Sequence, residues 1–374
     1  MDQVNVLIIG GGVVGCAVAR EFAAQCADVF LVESAPHLGA GASTRNSGVN
    51  HSGIYYPPGS LKATLCVRGN RLTQEFCAAH AVPYRACGKL VVASSEAEMP
   101  ALESLCATGQ TNGVPGLRLV DRARIRALEP NIEAVAALEV PSTGILNAEE
   151  LLKAYARHAT DRGASLLTRA RVTALEPGAD AIRARIAIGE TDSAEEETIE
   201  ARCVINCAGL FADEVAALAG NRRYRIYPVR GEYCEVVREK ADLVRGLVYP
   251  VPHQAGVTLG VHLTKTTWGQ LWVGPTADYI ADKNDYERNR RPVEEFARSA
   301  RTMLPEITAA DLRLGHTGIR AKLLPPGEHG TADFVITRDP DVPRMIQLVG
   351  IESPGLTAAL AIAEYVASLA AGIL

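Results

Sequence analysis

The stretch Val4–Gly15, VNVLIIGGGVVG, decides the fold expected of this chain. Val4–Ile9 is a short apolar run typical of a fully buried parallel strand. Cys16–Ala24, rich in Ala and Val, predicts a helix packed on a sheet, and Val29–Val32 predicts a second strand that ends at Glu33. A glycine-rich turn between a strand and a helix, followed by a second strand and an acid, is typical of a dinucleotide-binding unit.

Three glycines in this stretch match the pattern G-x-G-x-x-G: Gly10, Gly12 and Gly15. The first permits a tight turn, the second lets the backbone approach a pyrophosphate, and the third allows close packing of helix and strand. The helix N-terminus then faces the phosphates with unpaired N–H groups and the positive end of its dipole. Glu33 is placed to accept hydrogen bonds from ribose hydroxyls. The pattern predicts a dinucleotide site, and by itself it fits NAD as well as FAD.

The rest of the chain alternates between two kinds of segment. One kind continues the nucleotide-binding domain, with a helix, three strands and the start of another helix: Ala148–Arg162, Ser165–Leu167, Ala170–Leu175, Cys203–Gly209 and Phe211. The other kind has β character and comprises Leu90–Ala93, Glu232–Val237, Val257–Leu263 and Gln270–Val273. The polar segment Gly189–Glu197 predicts an exposed acidic turn between two strands.

This alternation predicts an α/β fold of mixed α+β type, in which a Rossmann-like nucleotide-binding domain is interleaved with a mostly antiparallel β-sheet substrate domain. The nucleotide-binding domain is expected at residues 1–82, 140–225 and 315–374. The substrate-binding domain is expected at residues 83–139 and 226–314.

Composition argues against a nucleic-acid-binding protein. The 374 residues carry 38 basic and 43 acidic side chains, a formal net charge of −5, and only 5% of them are aromatic. A basic footprint and aromatic platforms for base stacking are therefore both lacking. The arginine clusters at Asn221–Arg223 and Arg288–Arg291 are interpreted as solvated surface.

The nine cysteines form no C-x-x-C pair, which fits neither a disulfide framework nor a zinc ribbon. Most of them are expected to be buried thiols in a reducing compartment, and no metal site is predicted. The N-terminus has no basic region before its apolar run, and no apolar stretch of about 18 residues follows. The sequence therefore predicts a soluble cytoplasmic protein without a transmembrane segment.

Arg45–Tyr56, RNSGVNHSGIYY, followed by Gly59–Ala63 and Cys66–Gly69, closely resembles the L-2-hydroxyglutarate dehydrogenase/oxidase family. That family belongs to the D-amino-acid-oxidase-like FAD oxidoreductases. The resemblance covers nearly the whole chain, and the block around His51 is its most specific part. Further matches are Cys87–Leu90, Asn112–Leu117, Cys207–Leu210, Tyr249–Pro252, Gly260–Thr264 and Gly318–Arg320.

The resemblance implies a Rossmann-like FAD-binding domain and oxidation of an L-2-hydroxy acid, best guess L-2-hydroxyglutarate, to the 2-oxo acid. A hydride would pass to the flavin N5, and the hydroxyl proton to a base. An amino acid, an N-methyl amino acid or glycerol 3-phosphate is the alternative substrate, and a non-catalytic flavin-binding protein or an NAD dehydrogenase is a weaker alternative. Oxygen, a quinone and a carrier protein all remain open as electron acceptors.

The resemblance also implies a set of FAD-binding positions. They are Gly10, Gly12, Val14, Gly15, Glu33, Ser34, Ser43, Arg45, Asn46, Ser47, Val172, Cys207, Ala208, Gly209, Arg320, Pro354, Gly355, Leu356 and Thr357. The last four precede a helix expected at Ala358–Ala371, whose N-terminal amides would stabilise negative charge on the reduced flavin.

Four side chains are expected to act on the substrate. His51 and His262 are both candidates for the base, with His262 preferred and His51 as a flavin or substrate neighbour. Arg320 is expected to hold the substrate carboxylate through its planar fork, and Tyr249 to donate to the same carboxylate. The alternatives are a backbone-bonded structural His51, a solvent-facing His262, and a surface ion pair for Arg320 beside an exposed turn.

A five-carbon diacid would need a second cation for its far carboxylate. Lys62, Lys89 and Lys265 are available, and the sequence does not rank them. The chain departs from the family pattern at Ile351–Thr357, where relatives usually carry Ala-Pro-Ser-Pro, and at Asn50, which replaces an aliphatic residue. Both departures are expected near the isoalloxazine and therefore bear on substrate identity.

Overall fold

The fold is that of a computed structural model, which describes residues 2–190, 194–252, 260–328 and 330–374. We number its strands and α-helices in chain order. The strands are β1 (Asp2–Ile9), β2 (Val29–Val32), β3 (Val49–Asn50), β4 (Tyr84–Arg85), β5 (Lys89–Ala93), β6 (Arg118–Asp121), β7 (Ala136–Val140), β8 (Gly144–Leu146), β9 (Ser165–Leu167), β10 (Ala170–Pro177), β11 (Ile182–Ile188), β12 (Glu195–Asn206), β13 (Tyr227–Val236), β14 (Leu247–Pro250), β15 (His262–Lys265), β16 (Leu271–Gly274), β17 (Asp278–Tyr279), β18 (Leu312–Lys322), β19 (Val335–Arg338) and β20 (Met345–Val349). The helices are α1 (Val13–Ala23), α2 (Leu61–Ala79), α3 (Met99–Thr111), α4 (Arg122–Leu128), α5 (Ala148–Thr160), α6 (Ala212–Leu218), α7 (Val293–Ala300) and α8 (Gly355–Ala370).

The first sheet is built around β1, which pairs in parallel with β2 on one side and with β12 on the other. Its path runs β10-β11-β12-β1-β2-β9, and β20 joins it in parallel with β12. The second half of β1 is buried because its apolar side chains are covered on both faces of the sheet. One of those faces is covered by α1, α5 and α8.

The second sheet is mostly antiparallel and has the order β17-β13-β16-β15-β14-β5-β7-β6, with β18 paired to β13. One face packs on α7 through a core that includes Leu263, Val273 and Phe296. The opposite face carries Val91 and Tyr249, which pack with Ile54 from the first part of the chain. That second face is turned toward the nucleotide-binding part of the molecule. A small third sheet has the order β3-β8-β4.

The mixed α/β architecture expected from the sequence is confirmed, and the strand–turn–helix unit at the N-terminus forms as predicted. The helix begins at Val13 rather than Cys16, because Gly12 already serves as its extended N-cap. The domain boundaries stay a prediction, although β18 crosses the proposed boundary at 315 and pairs throughout with β13.

Two strand assignments need correction. Glu195–Glu197 was expected within an exposed acidic turn but forms the start of β12, because its backbone pairs with Ile186–Ile188 of β11 while its side chains stay in solvent. The remainder of that turn includes residues 191–193, which lie outside the described ranges. The strand predicted at Val257–Leu263 begins at His262. Residues 257–259 of that prediction also lie outside the described ranges.

The surface features agree in part with the sequence analysis. All nine cysteines are free thiols and seven of them are buried, as expected. Arg290 is not solvated surface, since it is mostly buried and its Nε lies 3.4 Å from a carboxylate oxygen of the buried Glu232. Over the ranges that the structure describes, every helix is too short or too polar to cross a membrane.

Candidate active site

A cavity of about 1200 Å³ lies between the two large sheets. The carboxyl ends of the parallel strands border it on one side, and the face of the antiparallel sheet that carries Tyr249 borders it on the other. Both sheets contribute to its lining, for example Gly10 and Cys207 from the first and Tyr233 and His262 from the second. Ligands of open α/β sheets bind beyond the carboxyl ends of the strands. Its volume exceeds the roughly 300–1,000 Å³ of common small-molecule sites, which suits a dinucleotide together with a substrate.

The glycine-rich turn has the geometry that its sequence predicts. Gly10 has φ +111°, and a Cβ atom there would lie 2.5 Å from the Cys207 carbonyl oxygen. A Cβ on Gly15 would lie 1.9 Å from the Gly10 carbonyl oxygen, so helix and strand pack too closely for any side chain. At the N-terminus of α1, the Val13 N–H donates to the Ser43 hydroxyl at 2.9 Å. The turn is therefore held open toward the cavity by bare backbone.

Glu33 follows β2 and lines the same end of the cavity. Its carboxylate accepts hydrogen bonds from the Gly11 N–H and the Ala35 N–H, each at 2.7 Å. These two bonds fix the carboxylate at the edge of the glycine-rich turn. An acid in this position can accept from ribose hydroxyls with its remaining lone pairs.

Of the predicted FAD-binding residues, all but Gly15 and Thr357 line the cavity. Gly15 acts through packing, as described above. Thr357 is buried, and its hydroxyl accepts from the His51 N–H at 2.8 Å and donates to the Val49 carbonyl at 3.3 Å. It therefore joins the start of α8 to the segment that carries His51. The bare turn, the fixed acid and the α8 N-terminus fit the pyrophosphate, ribose and ring of FAD.

Both predicted histidines line the cavity. His51 follows β3, and its Nδ1 is buried with no hydrogen-bond partner among the described residues. His262 begins β15, where Leu263 faces the α7 core and the imidazole faces the cavity. This placement excludes the solvent-facing alternative, since the His262 side chain is only 5% exposed. The Nδ1 atom of His262 lies 2.9 Å from the Gly260 carbonyl oxygen and therefore donates its hydrogen to it.

The two imidazoles are neutral in this setting. Burial, assisted by the charge of Lys89, lowers the pKa of His51 to about 3. Burial likewise lowers the pKa of His262 to about 3, with His51, Lys89 and Arg320 contributing and the bond to Gly260 opposing. Because the Gly260 bond holds hydrogen on Nδ1, Nε2 of His262 is left as the acceptor. Each histidine therefore has a nitrogen able to take a proton.

Arg320 lies on β18 and lines the cavity. One of its terminal nitrogens donates to the Thr276 carbonyl at 3.1 Å, and no carboxylate of the described residues forms an ion pair with it. Gly231, on the neighbouring strand, makes room for it, since a Cβ there would lie 2.7 Å from the guanidinium. The exposed-turn alternative is wrong, because Thr317 is fully buried within β18.

Tyr249 lies on β14 and its ring stacks on His262, with centroids 3.7 Å apart. It is fully buried and lines the cavity. Burial raises the pKa of its phenol, which therefore stays protonated. Its position beside His262 is consistent with a donor to a bound anion.

The structure ranks the three lysines that the sequence left equal. Lys62 pairs with Glu352 at 2.9 Å, and Lys265 pairs with Asp242 at 2.8 Å. Lys89 is 2% exposed, and its Nζ has no hydrogen-bond partner among the described residues. Burial lowers the pKa of Lys89 to about 7.

The two departures from the family pattern, at Asn50 and in the segment with Glu352, differ in whether they line the cavity. Asn50 is buried away from the cavity lining and donates to the Asn70 carbonyl at 3.0 Å, so it was wrongly expected near the isoalloxazine. Glu352 does line the cavity, where it pairs with both Lys62 and Lys322. Burial alone would raise the pKa of Glu352, but the two ammonium groups lower it.

The sequence analysis assigned no role to several aromatic residues of the cavity wall: Tyr55, Tyr56, Tyr233 and Tyr286. Tyr55 and Tyr56 close the block around His51, and this adjacency was the available signal. Tyr286 lies under the Arg45 guanidinium at 4.4 Å, and Tyr233 stacks on His316 with centroids 4.4 Å apart. These contacts join residues far apart in the chain, and no local pattern predicts them.

Comparison with known proteins agrees with this geometry. The family model "DAO: FAD dependent oxidoreductase" matches residues 5–369. "L-2-hydroxyglutarate dehydrogenase, mitochondrial" of Arabidopsis thaliana is 34% identical, over 98% of this chain and 83% of that protein. The protein of the same name from Nematostella vectensis is 35% identical, over 99% of this chain and 91% of its own length.

Among solved structures, the dithionite-reduced L-alpha-glycerophosphate oxidase of Mycoplasma pneumoniae with FAD bound superposes with a TM-score of 0.88. It is 27% identical, and the match covers 99% of this chain and 95% of that one. Glycine oxidase from Geobacillus kaustophilus, 20% identical, shares the fold with a TM-score of 0.81 over 100% of this chain and 95% of its own. The cytoplasmic location stays a prediction, since the named dehydrogenases are called mitochondrial. This chain is an enzyme that uses FAD, and it belongs to the DAO family of FAD-dependent oxidoreductases.

Proposed function

We propose that this enzyme oxidises an L-2-hydroxy acid, L-2-hydroxyglutarate in the first place, to the 2-oxo acid. The observation that carries the proposal is that Arg320, which pairs with no carboxylate of the described residues, lines one cavity together with two neutral histidines. The full-length similarity to proteins named L-2-hydroxyglutarate dehydrogenase supports the choice of substrate.

The substrate carboxylate binds Arg320, whose free donors form a fork suited to two carboxylate oxygens. Tyr249 donates to the same carboxylate and orients it, since its hydroxyl stays protonated. FAD, when bound, would supply the hydride acceptor for the α-hydrogen of a substrate held in this way.

His262 removes the hydroxyl proton through Nε2, the nitrogen left free by the Gly260 bond. Burial keeps the imidazole unprotonated in the resting protein, so it is ready to act near neutral pH. His51 also lines the cavity, where its Nδ1, which has no partner among the described residues, can contact the substrate or the flavin.

The test is anaerobic mixing of the purified holoenzyme with L-2-hydroxyglutarate while the visible absorbance of the flavin is followed. Rapid bleaching with the L acid, and not with its D enantiomer, is the expected result. A bound flavin that stays oxidised with L-2-hydroxyglutarate and with other L-2-hydroxy acids would overturn the proposal.

Glycerol 3-phosphate is the second candidate substrate, favoured by the likeness to the glycerophosphate oxidase. The same experiment separates the two, because glycerol 3-phosphate would then bleach the flavin faster than the hydroxy acid does. The electron acceptor is tested in the same samples by adding oxygen or a soluble quinone to the reduced protein.

A further inference from the structure

One buried lysine, Lys89, lies behind the cavity wall and forms no ion pair with any residue that the structure describes. Lys89 begins β5, and its Nζ lies 4.4 Å from the centre of the Tyr55 ring and 4.9 Å from that of the Tyr249 ring. Both of these tyrosines line the cavity. The ammonium therefore lies directly behind two rings that a ligand would touch.

Burying a charge without a partner is costly, and buried lysines are normally paired. Lys62 and Lys265 follow this rule, since each contacts a carboxylate within 3 Å. The contacts of Lys89 with two ring faces offset only part of its desolvation. A cationic side chain without an ion-pair partner beside a cavity is a candidate to pair with an anionic group of a bound ligand.

The hydroxyl of Tyr55 shows the same deficit. It is buried, and no described residue forms a hydrogen bond with it. An ammonium offers three donors and a phenol offers one, whereas a carboxylate has only acceptors. These donors therefore lack an acceptor, and an anion with several lone pairs would supply it.

The other titratable groups around Lys89 supply no charge to neutralise it. Burial keeps the pKa of Tyr55, Tyr249 and the Cys66 thiol above their ordinary values, so all three stay neutral. His51 is neutral as well, for the reason given above. Among the described residues around it, Lys89 is thus the one group able to carry a charge, and with a pKa of about 7 it is only partly protonated near neutral pH, so that a bound anion would favour its charged form.

We infer that Lys89 and Tyr55 form a subsite for the second carboxylate of a dicarboxylic substrate. This inference rests on the proposed function, in which Arg320 holds the first carboxylate. His262 stacks on Tyr249 with ring centroids 3.7 Å apart, and the Tyr249 ring centre lies 4.9 Å from the Lys89 Nζ, so the proposed subsite lies close to the base that serves the reacting carbon. Lys89 is accordingly a specificity-determining residue that selects diacids over monoacids.

The test measures the binding of two unreactive acids to the oxidised holoenzyme. The change in the flavin absorbance spectrum on titration gives each Kd. Glutarate carries two carboxylates, and pentanoate is a five-carbon acid with one. Wild type is expected to bind glutarate at least about tenfold more tightly than pentanoate, which is the effect of one charge-assisted hydrogen bond. In Lys89→Met the glutarate Kd should rise about 10- to 100-fold, with the pentanoate Kd nearly unchanged.

Two further variants make the result specific. Tyr55→Phe should weaken glutarate binding about threefold to tenfold, because it removes one neutral donor. Lys265→Met, which removes a buried lysine already paired with Asp242, should leave the preference for glutarate intact. Lys89→Met should fold at least as well as wild type, since it replaces an unpaired charge with an apolar chain of similar length.

Equal binding of glutarate and pentanoate by wild type, or a preference that survives in Lys89→Met, would overturn the inference. Tighter binding of glycerol 3-phosphate than of glutarate would overturn the assignment to a carboxylate. Because glutarate is not oxidised, failure of the proposed function is seen separately. If L-2-hydroxyglutarate does not bleach the flavin, the proposed reaction is refuted. If wild type still prefers glutarate and Lys89→Met loses that preference, the subsite stands nevertheless.

Discussion

The imidazole of His262 is stacked on the phenol ring of Tyr249, with ring centroids 3.7 Å apart and planes inclined by 13°. Its Nδ1 is held at the same time by the Gly260 carbonyl oxygen at 2.9 Å. Two independent contacts thus fix the plane of the imidazole and the direction of its free Nε2. A base that is oriented before the substrate arrives loses little freedom in the reaction.

Replacing this histidine tests its proposed role. We expect His262→Gln to slow anaerobic flavin reduction by about 100- to 10,000-fold, the usual contribution of a general base. His51→Gln should have a smaller effect, and His158→Gln, which alters a histidine that does not line the cavity, should have none. A larger loss in His51→Gln than in His262→Gln would assign the base to His51 instead.

The pH profile follows from the low pKa values of the two histidines. Both lie at about 3, so each imidazole is unprotonated from pH 5 upward. The rate constant of flavin reduction at saturating hydroxy acid should therefore be flat between pH 5 and 7. A base with the ordinary histidine pKa near 6.5 would lose about 30-fold at pH 5. Stopped-flow reduction across this range distinguishes the two, and a steep acid limb contradicts the buried setting.

Arg320→Met should raise the apparent substrate constant by about 10- to 150-fold while FAD stays bound, because a charged hydrogen-bonding partner of the substrate is removed. Steady-state kinetics gives the constant, and the ratio of visible to ultraviolet absorbance gives the FAD content. Arg68→Met, at an exposed ion pair on α2, is the matched control. Unchanged kinetics in Arg320→Met would remove this residue from the substrate site.

The glycine-rich turn gives a test of cofactor binding. Gly15→Ala would place a methyl group 1.9 Å from the Gly10 carbonyl oxygen, so α1 must move away from β1. We expect loss of bound FAD and a stability loss of at least about 1–3 kcal/mol in urea unfolding, as in overpacked cores. Gly41→Ala is the control, since a Cβ there has no neighbour within 4 Å. Full FAD content in Gly15→Ala would show that the turn tolerates the shift.

Glu352→Gln should leave the ammonium groups of Lys62 and Lys322 unpaired beside the cavity. Breaking such a buried pair costs about 3–5 kcal/mol, whereas Glu364→Gln at an exposed pair should cost under about 1 kcal/mol.

The pH dependence of this effect has a definite sign. The folded pKa of Glu352 is lowered, so its contribution is present above the ordinary glutamate pKa and is lost as the pH falls through the folded value. The stability difference between wild type and Glu352→Gln in urea titrations should therefore shrink under strongly acidic conditions. A difference that is independent of pH would exclude the ionised carboxylate as its cause.

Much of the nucleotide-binding half was predictable because its determinants are local. The apolar run of β1, the spacing of Gly10, Gly12 and Gly15, and the acid at the end of β2 act within about thirty residues of one another. Their geometry follows from steric limits on a few backbone angles and from the direction of a helix N-terminus. The family resemblance added the residues of later segments, and nearly all of them do line the cavity.

The sequence by itself thus determined a dinucleotide fold, its cofactor and a pool of candidate bases and cations. Only the tertiary structure decided which lysine is free, because Glu352 and Asp242, which neutralise Lys62 and Lys265, come from other parts of the chain. It also decided that both histidines are neutral, since burial by distant strands sets their pKa. Charge state and pairing depend on which side chains approach through space, and a linear spacing carries no information about that approach.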